Sequence, residues 1–175
     1  LDARPNLRIV ALADVFEDRV TEARRLMKER GQDIPDSRCY TGFDAFQKLI
    51  ASDVDVVLHA TPPHFRPMHM AAAVDARKHI FLEKPVAVDV PGVLAVMQTA
   101  ERATSQGLSI MTGTQLRREL PRMEVQKRIR DGAIGDIRAV RALRNQGALW
   151  YRVPQPGWSD MEYMLRDWVN WAWLS

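Results

Sequence analysis

Short apolar runs alternate with amphipathic segments along most of the chain. The run at 7–14 (LRIVALAD) and the run at 54–60 (VDVVLHA) are the two strongest. Continuous apolar runs of this length are typical of strands that are buried on both faces of a parallel sheet. The strands predicted in this way are 7–14, 54–60, 79–82 and 108–112, with at most a very short strand at 38–40.

Helices are predicted between these strands from apolar stripes and from start and stop signals. In the segment 17–30, Val20 and Met27 lie on one helical stripe, and Gly31 follows as a C-terminal stop. Thr41, with Asp44 three residues later, predicts the capped start of a second helix. Further helices are predicted at 68–76, from about Pro91 onward, and at 118–130.

This alternation predicts an α/β protein whose parallel strands are joined by right-handed crossovers. The expected architecture is a Rossmann-type doubly wound parallel sheet. No Gly-x-Gly pair occurs among the nine glycines, and only six residues precede the run at 7–14. We therefore expect the first strand and the glycine-rich phosphate loop to lie upstream of Leu1. Without that strand, we expect the isolated chain to be marginally stable or prone to aggregation, or to pair the strands ending at Asp14 and Ala60 directly.

The pattern changes in the last part of the chain. A strand is predicted at 137–143, and a loop rich in proline follows it. Ser159 and Glu162 have the spacing of a capping box ahead of a last helix. We interpret 1–132 as one domain and 133–175 as the truncated beginning of a second domain.

Composition narrows the classes of protein and site. The 25 Lys and Arg residues exceed the 22 Asp and Glu residues by only three and are spread along the chain, which argues against a nucleic-acid partner. No apolar run approaches the length of a membrane-spanning helix. The single cysteine, Cys39, excludes an internal disulfide and a cysteine-cluster metal site, and we interpret it as unreactive. No secretory leader is recognisable, so we expect a cytoplasmic protein, with an export signal upstream of residue 1 left open.

The histidines and tryptophans have mainly structural interpretations. His64 and His69 are five residues apart, which does not place two ligands on one helical face, and we predict no metal site. His59 lies inside a strand and is interpreted as a packed or hydrogen-bonded core residue. All five tryptophans fall in the last 26 residues, where a core or interface role is favoured over carbohydrate stacking. Trp158, in a Pro/Gly loop, is the best candidate for a sugar contact.

Asp14 is the first candidate for cofactor binding. It ends the run at 7–14, where dinucleotide-binding folds place a carboxylate that accepts hydrogen bonds from the adenosine ribose. The alternative is a strand-ending aspartate that caps the following helix. In the first case Asp14 favours NAD over NADP, because a carboxylate repels a 2′-phosphate.

The most specific local pattern is 79–85 (HIFLEKP), together with 61–64 (TPPH) at the end of the preceding strand. Both patterns lie at the carboxyl ends of strands, where open α/β sheets bind ligands. In these residues the sequence resembles the glucose-fructose oxidoreductase / inositol dehydrogenase / MocA (Gfo/Idh/MocA) family of NAD(P)-dependent oxidoreductases. The matching stretches are 11–14, 53–65, 78–85, 113–119, 144–152 and 156–168.

The resemblance implies that 1–132 is a partial dinucleotide-binding Rossmann domain. It also implies that 133–175 is the truncated beginning of a substrate and oligomerisation domain, an α/β domain with a large open mixed sheet. The implied reaction is reversible hydride transfer at a hydroxyl-bearing carbon of a sugar, polyol or related small molecule. Asp14 would contact the adenosine ribose, and Thr61, Pro62 and His64 would line the nicotinamide half of the cofactor. The other cofactor contacts that the resemblance implies are Glu83, Lys84, Pro85, Gln115, Arg166 and Trp168.

Lys84 is the catalytic residue that the resemblance implies, and the chemistry of alcohol oxidation supports it. The hydroxyl proton must leave as the hydride departs, and a partly desolvated lysine beside a cationic nicotinamide gives up its own proton more readily than in water. Lys84 would then act as the base or anchor the substrate oxygen. Pro85 favours an extended backbone at Lys84. The implied substrate contacts also include Arg117, which suits a carboxylate or phosphate, and Trp158.

Departures from the family pattern leave alternatives open. Arg66 stands where relatives often carry histidine, and Arg77 stands where glycine is common; we interpret both as ordinary, tolerable variation. The Asp-x-x-x-His pair of the second domain is expected beyond Ser175, so we expect the chain as given to be inactive. The alternatives are an NAD-dependent glycosidase that uses transient oxidation and a non-catalytic dinucleotide-binding or partner-binding paralogue. A homo-oligomer formed through the second domain is expected for the full-length protein.

Overall fold

The computed structural model describes residues 6–175, and its strands and helices alternate as far as the fifth helix. The strands are β1 (Leu12–Asp14), β2 (Cys39–Thr41), β3 (Val56–His59), β4 (His79–Leu82) and β5 (Ile110–Thr112). The helices are α1 (Glu17–Glu29), α2 (Ala45–Ala51), α3 (Arg66–Asp75), α4 (Val90–Ser105), α5 (Leu120–Arg130) and α6 (Asp160–Arg166).

All strand pairings among the described residues are parallel, which confirms the predicted α/β class. One sheet contains β1 and β2, with Ala13 opposite Tyr40. The other has the order β3-β4-β5, with Ile80 between Val57 and Ile110. Because β1 and β3 lie in different sheets, the direct pairing of these strands considered above does not form. The expected marginal stability of the isolated chain stays a prediction.

The main core lies on one face of the β3-β4-β5 sheet. Val57, Ile80 and Leu82 point into it and meet the small and apolar residues of α3 and α4. The opposite face is open in the described part of the chain, and Leu58 is 67% exposed beside the 6% exposed Val57. The prediction that this strand is buried on both faces is therefore wrong for residues 6–175, because the helices that pack on this sheet lie on one side only.

Several predicted boundaries differ from the observed ones. The run at 7–14 forms a strand only at Leu12–Asp14, although Val10 and Ala11 still pack against the core. Thr41 belongs to β2, and Asp44 is the residue before α2, so the predicted capping pair is wrong. Thr41 pairs with Asp14 in the β1-β2 ladder, so the chain is still extended there and the helix begins only after Asp44.

The strand predicted at 137–143 does not form, and nothing between α5 and α6 is helix or strand. Its apolar side chains are exposed, Val140 at 82%, because no neighbouring strand in the described residues supplies backbone partners.

The last helix is confirmed: the Ser159 hydroxyl accepts a hydrogen bond from the Glu162 N–H at 3.2 Å at the start of α6. The division of the chain after residue 132 stays a prediction. Across residues 6–175, no helix is long and apolar enough to cross a membrane.

Arg77 ends α3 in a conformation that favours glycine. Its φ is 58°, and the N–H groups of Arg77 and Lys78 donate to the carbonyls of Val74 and Ala73, as in a Schellman motif. This position is the one where glycine was noted as common in relatives. The left-handed region costs a residue with a Cβ about 1 kcal/mol, whereas glycine adopts it freely.

We expect Arg77→Gly to raise the free energy of unfolding by about 1 kcal/mol. The measurement is urea unfolding of the full-length protein, followed by fluorescence. The matched control is Ala76→Gly at the preceding residue, whose φ is −85°, and it should lower the free energy of unfolding. An Arg77→Gly variant no more stable than the wild type would contradict the strain inferred here.

Candidate functional site

The predicted cofactor residues lie at the carboxyl ends of the strands. Asp14 is the last residue of β1, Thr61 comes two residues after β3, and Glu83 directly follows β4. Because the strands within each sheet are parallel, the ends of β3 and β4 lie at one edge of their sheet, and the ends of β1 and β2 lie at one edge of the other. Open α/β sheets bind ligands at such edges.

A cavity of about 530 Å³ lies between the β1 and β3 ends. Its walls come from both strands, from α2, from the turn after β3 and from residues 150–168. Its volume falls in the range of small-molecule and cofactor sites. The predicted site residues in these walls are Asp14, Thr61, Pro62, Arg166 and Trp168.

Asp14 has one carboxylate oxygen engaged. Its Oδ1 accepts a hydrogen bond from the Phe16 N–H at 2.9 Å, just before α1, so the capping alternative accounts for one oxygen. The Val15 N–H is a second backbone donor to this carboxylate. The surrounding walls raise the pKa of Asp14 by desolvation, while the Phe16 N–H and the nearby Arg19 charge lower it. The carboxylate lies in the cavity wall, where it can accept hydrogen bonds from a ligand hydroxyl.

Two buried histidines face each other across the inner end of the cavity. His59 is only 4% exposed, and no residue in the described part of the chain hydrogen-bonds its Nε2. His69 stacks on Phe46 with ring centroids 4.0 Å apart, and its Nδ1 lies 3.4 Å from the Thr61 hydroxyl. Burial lowers the pKa of both histidines to about 4. The interpretation of His59 as a packed core residue is thus confirmed. The sequence reasoning missed that His59 and His69 both line the cavity.

His64 is oriented by the C-terminal segment. Its N–H donates to the Leu174 carbonyl at 3.3 Å, and its ring meets Trp173 edge to face at 5.3 Å. His64 is not among the cavity walls. No group of three or more potential metal ligands occurs among residues 6–175.

The Glu83-Lys84-Pro85 loop lies beside the cavity and outside its walls. Lys84 is exposed, and its N–H donates to Glu83 Oε2 at 3.2 Å. The Glu83 carboxylate lies over Gly113 after β5, where an added Cβ would be 3.0 Å from both carboxylate oxygens. Glycine at 113 therefore leaves room for this carboxylate. The Lys84–Pro85 peptide bond is cis.

Arg66 is a residue whose importance sequence reasoning missed. It was noted only as a departure from the family pattern. In the structure it is 3% exposed, and its guanidinium donates to backbone carbonyls in the turn after β3 and in the loop after β4. Its position after two prolines in a turn at a strand end was the only sequence signal that could have indicated this role.

Arg166 fastens α6 to the start of α1. Its two terminal nitrogens donate to both carboxylate oxygens of Asp18 at 2.9 Å, and its Nε donates to Glu162 at 2.9 Å. The guanidinium lies 3.8 Å from the Phe16 ring centroid and 4.9 Å from that of Trp158. Two carboxylates already neutralise this arginine, so its side chain builds a wall of the cavity and does not present a free cation.

The remaining predicted residues are dispersed. Trp168 is in the cavity wall and meets Trp150 edge to face at 6.1 Å. Trp158 stacks under Arg166 and is not in the wall. Gln115 and Arg117 lie in an exposed turn after β5, also outside the walls. The structure therefore brings together Asp14, Thr61, Pro62, Arg166 and Trp168 around one cavity. It leaves outside the walls the predicted residues after β4 and after β5, and also His64 and Trp158.

Comparison with known protein families gives the affiliation of the chain. The model of an oxidoreductase family with an NAD-binding Rossmann fold, Gfo/Idh/MocA, matches residues 2–112. The chain belongs to this family. The resemblance drawn from the sequence is thus confirmed, and so are the Rossmann-type fold and NAD as the cofactor that the family description names.

Curated relatives are longer than this chain. Glycosyl hydrolase family 109 protein 1 from Bacteroides fragilis (strain YCH46) is 30% identical over 100 residues, which are 56% of this chain and 21% of the relative. A glycosyl hydrolase family 109 protein from Streptomyces coelicolor is 28% identical over 137 residues, which are 77% of this chain and 28% of the relative. The chain spans less than a third of these relatives.

Two solved structures, a ketoreductase and a dehydrogenase, are similar in fold to this chain. KijD10, a 3-ketoreductase from Actinomadura kijaniata in complex with NADP and TDP-benzene, matches with a TM-score of 0.61 at 26% identity, over 79% of this chain and 38% of that chain. Scyllo-inositol dehydrogenase from Lactobacillus casei, with bound NAD(H) and scyllo-inositol, matches with a TM-score of 0.59 at 23% identity, over 73% and 34% of the two chains. The latter shows similarity of fold alone.

Proposed function

We propose that this chain is the cofactor-binding part of a nicotinamide-dependent oxidoreductase. The proposed reaction moves hydride between NAD and a hydroxyl-bearing carbon of a sugar, polyol or related compound. The observation that carries the proposal is the cavity at the carboxyl edge, which brings Asp14 of β1 within one set of walls with Thr61 and Pro62 after β3. Family membership supports this placement, because Rossmann folds bind dinucleotides at the carboxyl ends of their strands.

The residues present fit the adenosine and nicotinamide ends of the cofactor. The Asp14 carboxylate in the cavity wall would accept hydrogen bonds from the adenosine ribose, and its charge favours NAD over NADP. Thr61 and Pro62 would line the nicotinamide half, with His64, Gln115 and Trp168 as further contacts. When bound, NAD supplies the hydride acceptor. Arg166 would not bind the cofactor as a free cation but would hold the cavity wall in place through its ion pair with Asp18.

Substrate binding is assigned to the region between the cavity and the neighbouring Glu83-Lys84-Pro85 loop. Its exposed ammonium extends from the loop after β4, where it would take the hydroxyl proton or anchor the substrate oxygen. Glu83 and Pro85 shape this loop on either side. Arg117 and Trp158 are proposed as outer substrate contacts, for an anionic group and an apolar sugar face respectively.

Nucleotide titration of the full-length protein tests the cofactor assignment. We expect NADH to bind at least about tenfold more tightly than NADPH. Asp14→Asn should reduce the ratio of the NADPH to the NADH dissociation constant by about tenfold, because a charge-assisted hydrogen bond contributes about 1.5–3 kcal/mol. Nucleotide fluorescence gives both dissociation constants. The matched control, Asp53→Asn, changes an exposed carboxylate outside the cavity walls and should leave the ratio unchanged. Equal ratios in the wild type and Asp14→Asn would contradict the ribose assignment.

A glycosidase of the same family is the second candidate, because the curated relatives are named glycosyl hydrolases of family 109. Such an enzyme would oxidise its substrate transiently and return the hydride after the glycosidic bond has broken. Release of the aglycone from an aryl glycoside without net formation of NADH distinguishes this reaction from a dehydrogenase, which accumulates NADH. If the protein binds nucleotide tightly but has neither dehydrogenase nor glycosidase activity, the non-catalytic dinucleotide-binding alternative replaces both proposed enzyme functions.

A further inference from the structure

Arg66 joins two loops that are separated by a helix and a strand. It is the first residue of α3, and its Nε donates to the Thr61 carbonyl at 2.7 Å. Its Nη1 donates to the Glu83 carbonyl at 2.8 Å and to the Pro85 carbonyl. One buried guanidinium therefore ties the turn after β3 to the residues on both sides of Lys84.

This arrangement differs from a surface arginine held by an ion pair. No carboxylate among residues 6–175 forms a salt bridge with Arg66. Burial lowers the pKa of Arg66, and the nearby Glu83 charge opposes that effect only in part. The desolvated cation is instead satisfied by main-chain carbonyls, which fixes their positions because the donors of a guanidinium point in set directions in one plane. A lysine or a histidine cannot reach these three carbonyls with the same geometry.

These hydrogen bonds restrict the main chain at Lys84. The Glu83 carbonyl lies directly before Lys84 in the main chain, and the Pro85 carbonyl belongs to the residue after it. Both carbonyls accept hydrogen bonds from Nη1 of Arg66. Lys84 cannot shift along or across the loop without breaking at least one of these bonds. The bond to Thr61 sets this loop against the turn that lines the cavity.

We propose that Arg66 is a positioning residue that sets the place of Lys84 relative to the nicotinamide side of the cavity. The inference rests on the proposed function, in which Lys84 moves the substrate proton. Arg66 touches neither substrate nor cofactor in this proposal and acts through the main chain of the two loops.

Hydrogen exchange on the full-length protein tests the linkage without any substrate. In Arg66→Met, amide exchange should rise by about tenfold or more in the segments 59–65 and 82–88 together, while α5 keeps its wild-type rates. Arg66→Lys should show a smaller rise in the same two segments. The matched control is Arg102→Met, which removes an exposed arginine paired with Asp75, and it should leave both segments unchanged. A rise at 59–65 alone, or an equal rise throughout the domain, would overturn the proposal.

Kinetics of the same variants separate positioning from cofactor binding. We expect Arg66→Met to lower kcat by about 100-fold, the size of effect that a displacement of about 1 Å produces, with the NADH dissociation constant within about threefold of wild type. A kcat within about threefold of wild type in a variant whose loops exchange faster would overturn the positioning role. If the wild-type protein itself has no turnover, the proposed function fails, and the exchange experiment still decides whether Arg66 links the loops.

Discussion

Replacing Lys84 with alanine in the full-length protein is expected to lower kcat by about 100- to 10,000-fold while the NADH dissociation constant stays within about threefold of wild type. This is the range of general acid–base catalysis by a positioned side chain. The physical reason is that hydride cannot leave the carbinol carbon unless the hydroxyl proton is removed or the developing oxyanion is stabilised. Lys84 is exposed at the end of β4 and lies outside the cavity walls, so its removal should spare the cofactor contacts at Asp14 and Thr61.

Steady-state kinetics on a panel of polyols and sugars, with NADH titration beside it, make the measurement. The control is Lys127→Ala, which removes an exposed lysine of α5 and should retain wild-type kcat. Turnover of Lys84→Ala within about tenfold of wild type would contradict the proton-transfer role. Loss of NADH binding in this variant would instead assign Lys84 to the cofactor.

Acidification below pH 6.5 is expected to destabilise the fold through His59 and His69. Burial lowers the pKa of each to about 4, from an ordinary value of 6.5. For His59 the charges of His69 and Arg66 act in the same direction, whereas for His69 burial alone is responsible. The unfolded chain therefore binds protons that the folded chain does not, so the stabilising contribution is complete above pH 6.5 and is lost as the pH falls toward 4. Each histidine contributes about 3 kcal/mol at most.

Urea unfolding at several pH values between 7 and 4.5 checks this dependence. We expect His69→Phe, which preserves an aromatic stack on Phe46, to be less sensitive to pH between 6.5 and 5 than the wild type. That interval avoids most of the titration of ordinary carboxylates. The control, His79→Gln, alters a histidine on β4 outside this pair and should keep the wild-type slope. A free energy of unfolding that is constant across the interval would contradict the prediction.

The sequence by itself was sufficient for the features that depend on local periodicity. Alternation of apolar runs with helical stripes predicted the α/β class and the parallel pairing, because strands joined by helical crossovers run in the same direction. The capped start of α6 was also predicted, since a serine hydroxyl and an N–H three residues later meet within one turn. The carboxyl-edge location of Asp14, Thr61 and Glu83 followed from strand direction alone.

Features that depend on partners distant in sequence were decided only by the tertiary structure. The run at 137–143 has strand-like composition and yet forms no strand, because a strand exists only where another supplies hydrogen bonds. Leu58 lies in an apolar run and is exposed, because whether a helix covers a sheet face is not encoded in the strand. Arg66 was interpreted from the sequence as ordinary variation. Its three carbonyl acceptors come from two loops that only the folded chain brings together, and a buried cation is stable only where such acceptors converge.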